Sequence, residues 1–230
     1  MKLAWWKILC IVLLVYTVIG GLLLSVPRLP ILNESIRNLY FHVPMWFGML
    51  AIMFMSVVYS IRYLQKSDPK LDDFAVSAAH TGILFGLLGL ATGMAWARYT
   101  WGDWWVNDPK LNGAAIGMLI YSAYVVLRNS LEDEQQRARI SAIYNIFAFS
   151  TLVPLLFILP RLTDSLHPGN GGNPGFSSYD LDNKMRLVFY PAVIGWMLLG
   201  VWITQVSYRV KAWQRRREEV GTTKAVVHSR

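Results

Sequence analysis

Residues 74–97 read FAVSAAHTGILFGLLGLATGMAWA, 24 positions without an Asp, Glu, Lys or Arg, closed by Asp73 before and Arg98 after. At about 1.5 Å of rise per helical residue, a hydrocarbon core of about 30 Å takes roughly 20 residues, so this run is long enough to cross a bilayer. Backbone polar groups in lipid must pair within their own segment, which makes a helix the expected form. Five further uncharged runs lie on either side, at 8–27, 43–61, 111–127, 140–160 and 187–208. The expected fold is therefore all-α: a polytopic integral membrane protein with six transmembrane helices, forming a single membrane domain over 1–230.

The composition agrees. Charged residues make up 16% of the chain, against about 25% in an average soluble domain. The net charge of +8 does not signal nucleic acid, because the basic residues are spread over loops and tail; lipid headgroups and the direction of insertion account for them. Lys and Arg also set the topology. Fifteen fall on the side holding Lys2, Lys7, the 62–70 turn, the 128–139 turn and the tail, and seven on the other. The positive-inside rule then puts both termini in the cytoplasm. Loops 28–42, 98–110 and 161–186 are expected to face outward. The first run is too long for an ordinary signal-peptide core and is read as a retained helix. The single cysteine, Cys10, excludes an internal disulfide and a CxxC redox site.

The inner turns are plain and charged, such as RNSLEDEQQRAR at 128–139. The outer loops are different. Loop 98–110 places Trp101, Trp104 and Trp105 within five residues, beside Gly102, Asp103 and Asp108. A membrane-interface belt alone can explain tryptophans, but such a cluster also suits a large flat apolar ligand with polar edges. His42 closes the first outer loop and His167 lies in the third, so both fall in the compartment of the tryptophan loop. Haem iron takes imidazole as an axial ligand, and two imidazoles can clamp a porphyrin from its two faces. Zinc asks for three or four ligands and fits less well. The run HPGNGGNPGF at 167–176 lacks the GK[ST] of a phosphate loop and reads as a flexible lid or turn. His80, within the third run, is expected to be neutral and bonded to a neighbouring helix, and His228 to lie in a solvated tail. Trp5, Trp6, Trp196 and Trp202 need only belt or packing roles.

The run RNLYFHVP at 37–44, the loop WGDWWVND at 101–108 and SLHP at 165–168 together resemble the CcmC/CcsA family of haem-handling proteins of cytochrome c maturation. The likeness covers nearly the whole chain, and the tryptophan-rich WWD motif between the third and fourth spans is specific to that family. Size and helix count are similar to CcmC rather than to the larger CcsA proteins. The resemblance implies that His42 and His167 are axial ligands of a transiently held haem b. It implies a platform of Trp101, Gly102, Trp104, Trp105 and Asp108, and it places Arg37 and Lys110 where the family often carries basic residues. Both are candidates for the haem propionates through charge-assisted contacts. The family usually has tryptophan where this chain has Asn107. The implied function is not enzymatic, beyond a lyase-like transfer to an acceptor: haem is presented at the outer face and delivered to the haem chaperone CcmE. The implied partners are haem, membrane lipid and the CcmA, CcmB and CcmD subunits. A haem-containing membrane oxidoreductase and a haem-exporting permease subunit are the alternatives. The first would need two histidines inside the bundle, and the second ionisable residues along a midplane path.

Overall fold

The computed structural model describes residues 4–167 and 181–228, with side chains as far as Arg217. Among these residues six helices are long and apolar enough to cross a membrane. They are α1 (Trp5–Leu23), α2 (Leu39–Lys66), α3 (Pro69–Trp101), α4 (Pro109–Asn129), α5 (Glu134–Val153) and α6 (Asn183–His228). A 3-10 segment, Asn33–Asn38, leads into α2. The helix α5 runs on through a wide π turn, Pro154–Ile158, and a last turn, Leu159–Leu162.

The helices are longer than the uncharged runs. The loop before α2 ends at Asn38, so His42 sits in the first turn of α2 rather than at a loop end. Likewise Arg98 and Trp101 belong to α3, Arg161 to the last turn after α5, and the tail continues as helix to His228. The cause is physical. Helical hydrogen bonding does not stop where charge begins, and interfacial turns carry charged side chains at no cost once these reach water.

Helix starts follow local chemistry. Asp68, Asp108 and Asp133 each cap the helix that follows them, accepting backbone N–H bonds at residues 70, 110 and 136, and Pro69 and Pro109 occupy first-turn positions where no N–H is needed. Pro154 removes a helical N–H inside the fifth span. The backbone rewinds there into the π turn, which carries Leu156 and Phe157 toward the cavity described below.

The central element is α2, which packs on α3, α5 and α6, while α1 lies outside against α6. The seams that α3 makes with α2 and α4 are set by four of its glycines. A Cβ at Gly82 would collide with Met53, at Gly89 with Trp46 and at Gly93 with His42, all of α2, and at Gly86 with Met118 of α4. The bulky file of α2 thus lies in a groove cut into α3, as small residues allow between membrane helices. At the end away from His42, Arg128 of α4 makes a two-pronged bond to Asp72 of α3, and Arg215 of α6 bonds both Asp73 and Glu134. Four helices are tied there by charge.

His80 is exposed on α3 and makes no hydrogen bond among the described residues, contrary to the expected bond to a neighbouring helix. Its helical phase is the reason. Leu84, Leu87 and Leu88 share its face and are themselves exposed, whereas Ser77 and Thr81 point inward.

Candidate functional site

One large cavity of about 500 Å³ lies among the described residues, within the usual range for small-molecule sites. It opens at the end of the bundle where α2 begins, α3 ends and α4 begins. His42 and His167 both line it, with Trp46, Trp96, Trp101, Lys110, Thr100 and an otherwise apolar wall that includes Leu111, Leu156 and Phe157. The two histidines, 125 positions apart in the chain, are therefore brought to one space.

His42 is held on three sides. Its ring meets Trp46 edge-on at 6.3 Å and Trp96 at 5.9 Å. The α3 backbone presses on it at Gly93, where a Cβ would stand 2.9 Å from His42 Cε1. Its Nδ1 lies 2.9 Å from Thr92 Oγ1. The entry to α2 is fastened to the same stretch of α3: Trp96 donates from Nε1 to Ser35 Oγ at 3.2 Å, and Asn38 donates to the Thr92 carbonyl at 3.3 Å.

His167 is held by Asp108. Its Nδ1 is 2.9 Å from Asp108 Oδ1, within ion-pairing reach although not squarely aligned as a hydrogen bond. Trp101 packs edge-on against the ring at 5.2 Å. The Asp108 side chain is fully buried and serves two segments at once. Oδ1 accepts the Lys110 and Leu111 N–H groups at the start of α4, while Oδ2 accepts from Ser165 Oγ and the Leu166 N–H. Burial alone would raise its carboxyl, but the His167 imidazole beside it and the bonds from Ser165 and Leu166 hold it well below the usual carboxylate range. Asp108 thus joins the tryptophan loop to the third loop, and it does not line the cavity.

The other residues singled out from sequence are distributed as follows. Trp101 and Lys110 line the cavity. Gly102 ends α3 with φ +90, a left-handed backbone that glycine adopts without cost, and nothing lies within 4 Å of the position a Cβ would take. Trp104 and Trp105 are exposed at the same end, outside the cavity lining; Trp105 Nε1 donates to Asn112, and Asn112 in turn donates to Asn107. Arg37 also stands outside the lining. Its guanidinium bonds Glu34 at 2.7 Å and the carbonyls of Gly21 and Leu24 at 2.8 and 2.7 Å, capping the end of α1. Residues Pro168 to Phe176 of the glycine-rich run lie outside the described residues. Among the described residues no three His, Cys, Asp or Glu side chains gather as a metal cluster.

Sequence reasoning missed Trp46, Thr92, Gly93 and Trp96. The signal was present: Trp46 follows His42 by four residues, and Trp96 follows Thr92 by four, so each pair shares one helical face.

The comparisons with known proteins point one way. The family model described as CcmC, heme exporter protein C, matches residues 1–223. The chain is similar to heme exporter protein C of Escherichia coli K12, 26% identical over 181 residues that cover 77% of this chain and 70% of the relative. It is similar to that of Bradyrhizobium diazoefficiens, 28% identical over 186 residues covering 80% and 69%. Heme exporter protein C of Rhodobacter capsulatus is 29% identical over 132 residues, 56% of this chain and 54% of the relative.

Proposed function

This chain belongs to the CcmC family of heme exporter protein C, and from that premise we propose that it holds haem in the cavity between His42 and His167 and hands it to an acceptor in cytochrome c maturation. The observation that carries the proposal is that two imidazoles from distant segments line one apolar cavity with a single ammonium, Lys110. Haem is cargo here, not a resident group. Each imidazole has its Nδ1 side engaged by the protein, His42 by Thr92 and His167 by Asp108. This leaves Nε2 of both for iron, the arrangement that partners around metal-binding histidines ordinarily impose.

The other groups have distinct tasks. Trp46, Trp96 and Trp101 wall the porphyrin's apolar part, and Lys110 offers a charge-assisted contact to a propionate. Trp104 and Trp105, exposed at the same end, supply the outward part of the platform. Arg37 is a weaker propionate candidate than Lys110, because it is held by Glu34 within the 3-10 segment and by the Gly21 and Leu24 carbonyls at the end of α1. Asp108 acts through His167 and the two loops it joins. With the cavity end on the periplasmic side of the inner membrane and both termini cytoplasmic, the acceptor is the haem chaperone CcmE, and CcmA, CcmB and CcmD are the neighbours.

Release follows from the same construction. One ligand comes from a helix locked into the α2–α3 seam and the other from a loop clamped by Asp108, so the loop side can part while the helix side stays. Titrating detergent-purified protein with haemin tests the proposal. One haem per chain should bind saturably with a low-spin spectrum in ferric and ferrous states, and the apo form of CcmE should withdraw it. No saturable binding would overturn the haem site; bound haem that CcmE never removes would overturn the delivery step.

A further inference from the structure

We infer that Thr92 is a positioning residue that fixes the tautomer of His42, forcing the proton onto Nδ1 and presenting Nε2 to the cavity as a lone-pair donor. The inference rests on the proposed haem site and deepens it. Thr92 Oγ1 stands 2.9 Å from the Leu88 carbonyl and 3.1 Å from the Gly89 carbonyl, as well as 2.9 Å from His42 Nδ1. A carbonyl oxygen can only accept, so the single hydroxyl proton is committed to the α3 backbone. Toward His42 the hydroxyl oxygen can then only accept. Nδ1 must carry the proton, and a neutral imidazole protonated at Nδ1 has its free lone pair on Nε2.

The ring cannot evade this by turning over. A flip would place Cδ2 against Thr92 and leave a polar oxygen without its donor. Gly93 presses on Cε1 from one side, while Trp46 and Trp96 stand edge-on around the ring. Thr92, Gly93 and Trp96 all come from the last turns of α3, immediately before the tryptophan loop. That helix end therefore performs for His42 what Asp108 performs for His167, with a neutral acceptor in place of a carboxylate.

Two measurements decide it. In apo protein labelled with 15N-histidine, assigned by loss of one signal in His42→Gln, the His42 shifts should report the Nδ1–H tautomer, and Thr92→Val should release it to a mixture. In the haem complex, Thr92→Val, which keeps the shape and removes the hydroxyl, should raise the haem dissociation rate by about tenfold or more, while Thr92→Ser stays within about twofold of the native rate. An Nε2–H tautomer in the native protein would overturn the inference, and so would a Thr92→Val dissociation rate equal to native. The tautomer measurement needs no haem. If His42→Ala left haem ligation unchanged, the proposed function would fall on that result, while the 15N shifts would still decide whether Thr92 governs the ring.

Discussion

Replacing His42 or His167 with alanine is expected to convert a six-coordinate low-spin haem complex into a five-coordinate high-spin one, and to weaken haem retention by more than about tenfold. Losing an axial ligand should cost at least as much as losing one of its outer partners, which is typically worth 10–100-fold in metal affinity. The two variants should not be equal. His42 is packed between Trp46, Trp96 and the α3 backbone, so removing it opens an interior gap against Gly93 and should also lower thermal stability. His167 lies at the start of the third loop, touching Trp101 and Asp108, and its loss should spare the helical bundle. Absorption spectra with and without dithionite, alongside thermal unfolding in detergent, check both parts. Equal spectra for native protein and both variants would remove the histidines as ligands.

Asp108→Ala is expected to cost stability and haem together. The carboxylate caps α4, a contribution of about 1 kcal/mol. Its removal also takes the shared acceptor from the part-buried Ser165 hydroxyl and the Leu166 N–H, at about 0.5–1.5 kcal/mol for each hydrogen bond lost. A total of about 2–4 kcal/mol is expected, with haem affinity reduced by about 10–100-fold through loss of His167 orientation. The carboxyl also predicts a pH dependence. Its folded-state pKa is depressed, so the stabilisation is fully present above the unfolded value near ~4 and is lost as pH falls through the lower folded value. Native protein should thus keep its loop clamp at mildly acid pH and lose it only in strong acid, and Asp108→Asn should abolish this acid-dependent component. Unfolding curves measured from neutral pH down into strong acid would show it. A variant as stable as native at neutral pH would contradict the clamp.

Much of this architecture was legible in the chain. Six uncharged runs gave six helices because burial in lipid leaves few alternatives, and the alternation of crossings placed His42, the tryptophan loop and His167 at one end. The boundaries were less legible. His42 was expected at a loop end and is helical, since counting between ionic residues cannot see where backbone hydrogen bonding continues. The role of Asp108 was hidden for a different reason: a motif carboxylate beside tryptophans reads as a ligand contact, and only the fold brings Ser165 and Leu166 onto its second oxygen. Thr92 and Gly93 were hidden within an apolar run whose small residues have no meaning until α2 is laid against them. His80 was expected to bond a neighbouring helix, yet its phase with Leu84 and Leu88 turns it outward.

The claim beneath all of this is that one porphyrin sits between two imidazoles whose remaining ring nitrogens face a shared cavity. Near-infrared magnetic circular dichroism of the ferric haem complex reads the axial pair directly. A bis-imidazole band in the native protein, lost in His42→Ala and in His167→Ala alike, is the predicted result. A native band of any other ligand pair, or a bis-imidazole band surviving either substitution, would contradict it.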